Sequence, residues 1–418
     1  MSKPEAERVS PLYCPRAWHV THWSEDAFCR GAYSALLPGG SPADRQALGQ
    51  CLGGRLVIAG EACNPHAPAM THGAWDDGIR AADLAIQNGA QRVIVIGAGC
   101  AGLAAARHLR AKGIDCVVVE ARERVGGRTH SLQLGPVTID LGAAWLQQFA
   151  DNFLAREAER LGLRLVKTDF GRPLRAASDG PVEGVEQAWQ ALRQKVDRRM
   201  PLVEGVVDYL AGLEPAQARI ARYAIDASLI SEACLPLEAL SVDALDEDGV
   251  GNDDHFLPGG YSQIIEHLAA GLDIRLGQPV SQIDWRGSEL CINEERGDFC
   301  ICTVPLGVLK TLEFHPELPR AQQEALAHLG MGCLEKVVLQ FDQRWWPRSP
   351  TGYLHWYDTP ASWLEWLDLT DAVGKPTVVG LIAADAVARQ FAGRSDEEIA
   401  LAARDALKAW ALAVEAGI

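Results

Sequence analysis

A glycine-rich turn between two apolar segments constrains the fold of this chain more than any other feature. The run RVIVIGAG places Gly97, Gly99 and Gly102 in a GxGxxG pattern that opens AGLAAARHLRAKG, a segment with helical spacing that ends at Gly113. A second apolar run, DCVVVEA, follows and carries Glu120. Strand, helix and strand in this order predict one βαβ unit of a buried parallel sheet. The unit starts near residue 91 rather than near the N-terminus.

This arrangement is typical of a dinucleotide-binding site. The three glycines let the backbone turn tightly and approach a pyrophosphate, while the helix N-terminus points at the phosphate charge. Glu120, where the second strand ends, can accept hydrogen bonds from ribose hydroxyls. GxGxxG alone is weak evidence, but the strand, the helix and the terminal acid in register predict the site together. The fingerprint by itself does not separate FAD from NAD.

Composition limits the partners and the location that we expect. Of the 418 residues, 48% are hydrophobic, enough to build the core of two packed domains. The formal net charge of -16 argues against a nucleic-acid partner, because phosphate binding needs clustered cations. The N-terminal segment has no apolar signal region, and no run approaches the roughly 18 apolar residues of a membrane span. We therefore expect a cytoplasmic protein without a membrane partner.

The cysteines do not form a recognisable framework. There are 11 of them without a CxxC pair, and Cys300 and Cys302 lie within an apolar, strand-like run. We expect buried reduced thiols rather than disulfides or a metal site.

A second glycine-rich turn follows the βαβ unit. The run ARERVGGRT supplies Arg124, Gly127 and Arg128, which adds cations beside the expected pyrophosphate. From Arg92 to Trp145, ending in IDLGAAW, the chain resembles the opening of flavin-containing amine oxidases, a family of monoamine oxidases, polyamine oxidases and histone demethylases. The runs PGGYSQIIEHLA, PVSQID, CTVPLGVLK and LEKVVLQFDQRWWP continue the resemblance, which omits the helical stretch from about 155 to 250.

The resemblance implies an FAD cofactor and roles for single residues. Glu120 would bind the ribose, Arg128 the pyrophosphate, and the backbone of Val280 the adenine. Lys336, within the pattern EKVxLxF, would hold a water near flavin N5, whereas a lysine alone in a strand is typical of a solvated edge. The cofactor-binding residues that follow are Gly97, Gly99, Gly102, Glu120, Arg122, Gly127, Arg128, Gly142, Ala143, Trp145, Val280, Glu61, Met70 and Thr71.

The order of the segments differs from that of the family. Amine oxidases end with a Trp/Asp-containing strand, a GSYS-like loop, an AGE strand end and a THGA-like helix start. Here THWSEDAFCRGAYSALLPGG, RLVIAGEAC and THGAWDDGIRAA come first, and GKPTVVGLIAADAVARQF near the C-terminus matches the part that would precede them. We therefore expect a circular permutation, which keeps every contact if the new break lies in an exposed loop.

The moved segment carries residues that suit a flavin site. Glu61 at a strand end can bind ribitol hydroxyls, and the backbone of Met70 and Thr71 at a helix start can stabilise negative charge at flavin N1 and O2. His72 is interpreted as a packing residue. Tyr33 matches a family aromatic that faces the substrate, although an isolated tyrosine is equally typical of a core.

Two positions depart from the family pattern. Ala32 stands where monoamine oxidases carry a flavin-linking cysteine, so we expect FAD to be bound non-covalently. The usual aromatic partner of Tyr33 would fall near Ala67 or Met70, and neither is aromatic, which puts a two-walled cage in doubt. A replacement wall could come from the Trp-rich stretch, although such a stretch is more typical of a core: Trp356, Trp363 and Trp366.

The resemblance implies oxidation of an amine to an imine, followed by hydrolysis to a carbonyl compound, with oxygen reduced to hydrogen peroxide. The substrate would be a small-molecule amine, bound as the free base, and the chemistry needs no strong general base. Lys336, Tyr33 and Trp145 are the expected catalytic residues: the lysine would hold the water and the two aromatics would shape the approach.

Three alternatives remain open from the sequence. An L-amino-acid oxidase often has a second arginine after GGR, but Thr129, His130 and Ser131 stand here. A flavin dehydrogenase or desaturase would pass electrons to an acceptor other than oxygen. A catalytically silent flavin-binding scaffold would not need the retained Lys336.

The expected fold class is α/β, with a Rossmann-like FAD-binding domain, a second α+β substrate domain and the chain order of a circularly permuted amine oxidase. Each domain is discontinuous. We predict an FAD-binding domain at residues 50–150 and 256–310, and a substrate domain at residues 1–49, 151–255 and 311–418. The identity of the amine and the oligomeric state are not predicted.

Overall fold

A computed structural model describes residues 11–247, 253–287 and 289–417. The α-helices are α1 Pro42–Leu48, α2 Thr71–Gln87, α3 Cys100–Ala111, α4 Phe153–Arg160, α5 Val185–Lys195, α6 Leu202–Ala211, α7 Pro215–Ile225, α8 Ser231–Ala233, α9 Ser262–Ala269, α10 Leu306–Leu309, α11 Arg320–His328, α12 Thr370–Val373, α13 Asp385–Phe391 and α14 Asp396–Ala416. A π-helical turn, Asp226–Ile230, joins α7 to α8.

The strands are β1 Ala17–Val20, β2 Ser34–Leu36, β3 Leu56–Ile58, β4 Arg92–Ile96, β5 Asp115–Val119, β6 Ser131–Leu134, β7 Val137–Asp140, β8 Trp145–Leu146, β9 Val166–Thr168, β10 Leu174–Ala177, β11 Asp254–Phe256, β12 Ile274–Arg275, β13 Gln282–Asp284, β14 Leu290–Ile292, β15 Glu295–Gly297, β16 Phe299–Cys302, β17 Glu313–His315, β18 Leu329–Met331, β19 Leu334–Gln340, β20 Tyr353–Tyr357, β21 Glu365–Asp368 and β22 Thr377–Ala383.

The predicted βαβ unit forms the centre of a parallel sheet. Its strand order is β12-β5-β4-β16-β3, and every neighbouring pair is parallel. Strands β4 and β5 are buried on both faces, as their runs of Val and Ile predict. The edge strand β3 comes from the N-terminal part of the chain, and α2 packs on α3 beneath the sheet. The N-terminal segment is therefore part of this core rather than an appendage to it.

A second sheet has the order β1-β19-β22-β21-β20-β10. Its pairs are antiparallel except β10 with β20. Helix α14 covers one face, where Trp410 and Leu407 are fully buried. Trp356, Trp363 and Trp366 belong to the same core, so the tryptophan-rich stretch does not replace the missing aromatic wall.

The stretch from 151 to 246 is largely helical, as predicted, but it also contains strands β9 and β10. Sequence periodicity missed both because they are only 3 and 4 residues long. Helix α14 is the last helix of the described chain, and Lys336 lies within strand β19. All 11 cysteines are free. Within the described ranges, none of the helices combines the length and apolarity that crossing a membrane requires.

Candidate active site

One cavity of about 1030 Å³ runs between the parallel sheet and the second sheet. This volume lies at the upper end of the range of roughly 300–1,000 Å³ that is typical of ligand pockets. The GxGxxG turn lines one end, which we call the nucleotide end, and the face of the second sheet lines the other, which we call the chamber. Every residue predicted to bind the cofactor lines this cavity except Gly102.

The glycines of the turn have different structural roles. A Cβ at Gly102 would lie 1.8 Å from the carbonyl oxygen of Gly97, so the third glycine lets α3 pack against the turn. Gly97 has φ +101°, a left-handed conformation that favours glycine. At Gly99, a Cβ would meet nothing closer than the Gly126 oxygen at 4.0 Å. The open space in front of Gly99, at the N-terminus of α3, is therefore suited to a phosphate group.

Glu120 lies where β5 ends, with its carboxylate held by the backbone. Its Oε2 accepts from the amide of Ala98 at 2.7 Å, and its Oε1 accepts from the amide of Arg122 at 2.9 Å. Glu120 and Val280 both line the nucleotide end. The Arg122 guanidinium forms an ion pair with Asp26 at 2.6 Å, so its charge is already partnered within the chain.

Two residues predicted separately, Glu61 and Arg128, form a buried ion pair at 2.8 Å. Glu61 also accepts from the Ser34 hydroxyl at 2.6 Å and from the Ala69 amide at 3.2 Å. Burial opposes ionisation of Glu61, but the charge of Arg128 and the Ser34 hydrogen bond together lower its pKa. Arg128 also donates to the carbonyl oxygen of Ala32 at 2.9 Å. The pair joins the N-terminal segment to the second glycine-rich turn.

The start of α2 also faces the cavity. Met70 and Thr71 line it, and the Thr71 hydroxyl is 2.7 Å from that of Tyr261. His72 is buried and points away, with Nε2 3.2 Å from Gln148 Oε1, in agreement with its interpretation as a packing residue. Gly142, which also lines the cavity, packs closely on the second glycine-rich turn, since a Cβ there would come within 1.7 Å of the Arg128 carbonyl oxygen.

Lys336 lies where the nucleotide end meets the chamber. It is buried in β19, and its Nζ donates to the carbonyl oxygens of Asp140, at 3.1 Å, and Gly142. The ammonium is 5.8 Å from the centre of the Trp145 ring. Burial lowers the pKa of Lys336 to about 8, although the charge of Asp140 acts in the opposite direction. The lysine is thus a buried, titratable cation at the cavity wall rather than a solvated edge residue.

Tyr33 and Ala32 line the cavity beside this junction. The Tyr33 hydroxyl donates to the carbonyl oxygen of Glu232 at 2.9 Å and lies 2.9 Å from Cys234 Sγ. Ala32 presents no thiol. Met70 is the one member of the expected aromatic-partner pair that faces the cavity, since Ala67 does not line it. Aromatic side chains do occur in the chamber, among them Tyr353 and Tyr357 from β20 and Phe170, which packs edge-on against Tyr353 and Trp145.

Sequence analysis missed a row of side chains on the second sheet. Strand pairing aligns Lys336 with Leu381, Leu381 with Glu365, Glu365 with His355, and His355 with Arg175. Directly paired residues point to the same face of a sheet, and all five line the cavity. We call this set the chamber row. Its members come from five strands, so no local motif could reveal it; the one signal was a glutamate within the apolar run WLEWLDL.

Glu365 is the buried acid of the chamber row. It is 9% exposed, and it accepts a hydrogen bond from the Tyr353 hydroxyl at 3.1 Å. Burial raises the pKa of Glu365 to about 7, against the effect of that hydrogen bond. Glu232 reaches the same chamber from α8, next to the π-helical turn. A buried carboxylate that ionises near neutrality at the cavity wall is suited to bind a cation.

The sequence matches the family described as flavin containing amine oxidoreductase over residues 9–86, 100–214 and 182–416. Similar curated proteins include polyamine oxidase 4 of Oryza sativa subsp. japonica, which is 33% identical, with 73% of this chain and 70% of that protein covered. Probable polyamine oxidase 4 of Arabidopsis thaliana is 30% identical, with 75% and 70% covered. Lysine-specific histone demethylase 1 homolog 1 of Oryza sativa subsp. japonica is 35% identical, but only 34% of that protein is covered.

Solved structures share the fold. A putrescine oxidase redesigned in its cofactor binding superposes with a TM-score of 0.61 at 21% identity, covering 77% of this chain and 81% of that one. Cyclohexylamine oxidase from Brevibacterium oxydans IH-35A has a TM-score of 0.57 at 22% identity, with 74% and 78% covered. The overall architecture is therefore the mixed α/β fold of these amine oxidases.

Proposed function

The chain belongs to the flavin containing amine oxidoreductase family and uses FAD to oxidise an amine, and from this premise we propose that its substrate carries a second, cationic nitrogen. Oxygen is the proposed electron acceptor and hydrogen peroxide the product. The observation that carries the proposal is Glu365, which lies two strands from Lys336 on the same face of the sheet. At roughly 4.8 Å per strand, about 10 Å separates the two backbone positions.

Bound FAD would supply the two-electron acceptor for the hydrogen and electron pair that leave the amine α-carbon. The amine thereby becomes an imine, and water then hydrolyses the imine. The protein's part is to bind FAD along the nucleotide end and to orient the amine at the junction. The space before Gly99 would take the pyrophosphate, Glu120 the ribose and Glu61 the ribitol. Trp145 and Tyr33 would bound the approach of the substrate.

The charges in the chamber select the protonation state of each nitrogen. Lys336, whose pKa burial lowers to about 8, disfavours a second cation beside it and so favours the free base at the reacting nitrogen. An ionised Glu365 attracts a cationic nitrogen farther along the same molecule. Relatives named polyamine oxidases support this substrate class.

The alternatives gain no specific support. Thr129 and Ser131 carry no charge, and burial together with nearby arginine charges lowers the pKa of His130 to about 4, so this stretch offers no cation for an α-carboxylate. A flavin dehydrogenase or desaturase that uses an acceptor other than oxygen would form no hydrogen peroxide, and this difference can be measured. Anaerobic mixing with mono-, di- and polyamines, followed by admission of oxygen, tests both points. Flavin bleaching by a polyamine, with one hydrogen peroxide formed per turnover, supports the proposal. Bleaching by amino acids but not by any of the amines contradicts it.

The cofactor is proposed to be held without a covalent bond. Ala32 has no thiol to form one. Acid precipitation of the yellow protein should therefore leave FAD in the supernatant, measured by its absorbance. Flavin retained in the pellet would overturn this prediction.

The circular permutation and the domain division also belong to the proposal. The five strands of the parallel sheet lie within residues 50–150 and 256–310, the proposed FAD-binding domain. The six strands of the second sheet lie within residues 1–49, 151–255 and 311–418, the proposed substrate domain. Strand β3 from the N-terminal segment pairs with β16 at the edge of the parallel sheet, and this place in the core supports a changed order.

A further inference from the structure

The far end of the chamber row carries a cation without a carboxylate partner. Arg175 in β10 lines the cavity, and no carboxylate among the described residues lies within 4.0 Å of its guanidinium. Its Nε is buried and has no hydrogen-bond partner in the same part of the chain. Other arginines that line the cavity are paired, such as Arg122 with Asp26 and Arg193 with Asp246. Arg175 is therefore suited to accept an anion from outside the chain.

His355 adds a second donor beside Arg175. It is 8% exposed and directly paired with Arg175 across the strands, and its Nδ1 is 3.0 Å from the Tyr357 hydroxyl. Burial, together with the charge of Arg175, lowers the pKa of His355 to about 3, so the ring is neutral at physiological pH.

The remaining ring nitrogen of His355 can be assigned as a donor. Arg175 lies close enough to Tyr357 for its charge and hydrogen bonding to favour the phenolate, although burial raises the pKa of that phenol to about 12. The phenol oxygen then accepts a hydrogen bond from Arg175 and its hydroxyl donates one to His355 Nδ1, which leaves the proton of the neutral ring on Nε2. Nε2 is buried without a partner among the described residues, as is Arg175 Nε.

We propose that Arg175 and His355 bind a carboxylate at the distal end of the substrate, so that the chamber takes a polyamine chain with a terminal carboxylate. This proposal rests on the amine oxidation proposed above. Along the chamber row the reacting amine lies beside Lys336, the second nitrogen near Glu365, and the carboxylate at Arg175. Four strand steps separate the backbones of Lys336 and Arg175, roughly 19 Å.

This spacing distinguishes the site from that of an α-amino-acid oxidase. An α-carboxylate is bonded to the very carbon that is oxidised, so its cation must lie at the junction beside Lys336. Arg175 is too far along the row to reach it. Glu365, which lies between the two, would also repel a carboxylate placed at mid-chamber. The position of Arg175 therefore suits a carboxylate at the far end of a long substrate molecule.

Three probes test the proposal on the FAD-loaded protein: a linear triamine, the same triamine with a carboxyethyl group on its far nitrogen, and the matched carboxamidoethyl compound. We expect kcat/KM for the carboxylate to exceed that for the neutral amide by about tenfold or more. In Arg175→Met this ratio should fall toward one. Arg193→Met is the matched control, because Arg193 also lines the cavity but is paired with Asp246, and it should keep the wild-type ratio.

Equal kcat/KM values of the wild type for the carboxylate and the amide would overturn the proposal. An unchanged ratio of these values in Arg175→Met would overturn it as well. Failure of the proposed function has a different signature, because then none of the three compounds bleaches the flavin. Binding still decides the matter in that case. The carboxylate probe should raise the thermal midpoint of the wild type more than the amide does, and the difference should vanish in Arg175→Met. Equal shifts from both probes would count against the site.

Discussion

The two ends of the cavity differ in how their charged groups are partnered. At the nucleotide end, Arg128 pairs with Glu61, and Glu120 accepts two backbone amides. In the chamber, Glu365 accepts a phenolic hydrogen bond, and Arg175 Nε has no partner within the described ranges. A site that always holds the same cofactor can be built with its charges already satisfied. Buried groups with unused hydrogen-bonding capacity instead indicate where a variable ligand completes the structure.

The ends also differ in how the chain builds them. The nucleotide end uses turns and strand ends that lie mostly close in sequence, between 97 and 145, together with the loop at Val280 and the N-terminal segment that supplies Glu61 and the start of α2. The chamber is built on the chamber row, whose five residues come from five different strands. Loss of the N-terminal segment should therefore damage the nucleotide end, while changes in the chamber row should alter catalysis and selectivity.

The largest effect is expected from removing residues 1–88. The deletion removes β1 and β3 from the two sheets and strips α2 from α3. We expect an insoluble or flavin-free fragment, measured by the ratio of flavin to protein absorbance. A truncated protein that stays yellow and active would show that the segment is an independent module and would contradict the permutation.

The rescue of that deletion is its control. Residues 1–88 placed behind Ile418 through a short flexible linker should restore FAD binding, since every contact is kept. Tyr13, near the start of the described chain, packs on α14, with Lys408 Nζ 4.7 Å from its ring. The new break at Asn88 and Gly89 is exposed. The cost of closing the linker rises by only about 0.6 kcal/mol per doubling of its length.

The next effect is that of Lys336→Met, which should slow flavin reduction or reoxidation by about 100-fold or more, because it removes the buried cation that we propose holds a water at the junction. FAD content should stay at the wild-type level, and stopped-flow absorbance would separate the two half-reactions. Lys310→Met is a matched control: its Nζ also donates to a backbone carbonyl, that of Leu329, but it lies outside the cavity wall. Wild-type rates in both half-reactions of Lys336→Met would refute the assignment.

The sequence predicts the nucleotide end well because its signals are local. The βαβ unit and the helix at Thr71–Gln87 follow from periodicity and glycine positions, and the structure confirms them. The ion pair between Arg128 and Glu61 could not be predicted as a contact, although both residues were expected at the cofactor. It depends on how the N-terminal segment docks on the second glycine-rich turn, which no local pattern encodes.

The chamber shows the opposite case. A row of paired residues requires the register of every strand, and a shift of one residue would turn each side chain to the other face. Strand β10, which supplies Arg175, is short and lies in a region whose pattern predicts helices. Lys336 was identified only through its resemblance to a family pattern. The roles assigned to Tyr33 and Trp145 stay predictions, since their position on the cavity wall is compatible with both packing and catalysis.

The smallest of the three effects is expected from Glu365→Gln, which should raise KM for a di- or polyamine by roughly 10- to 100-fold, the range expected for losing one charge-assisted hydrogen bond. The KM for a monoamine of equal size should change much less, since this substrate has no second nitrogen for Glu365 to bind. Steady-state kinetics with both amines measures the split. Asp169→Asn is the control: Asp169 also lines the cavity, but its carboxylate is paired with Arg172.

The pH profile sharpens this last test because burial raises the pKa of Glu365 to about 7. Below that pH the acid is neutral and attracts no cation, so kcat/KM for the polyamine should rise as pH increases through about 7. In Glu365→Gln no carboxylate ionises there, and this rise should be absent, while any change near pH 8 from Lys336 should remain. A Glu365→Gln profile that still rises near 7 would mean that another group binds the second nitrogen. The chamber would then share its acidic function with another carboxylate that lines the cavity, such as Glu232 or Asp254, whose pKa burial raises to about 6.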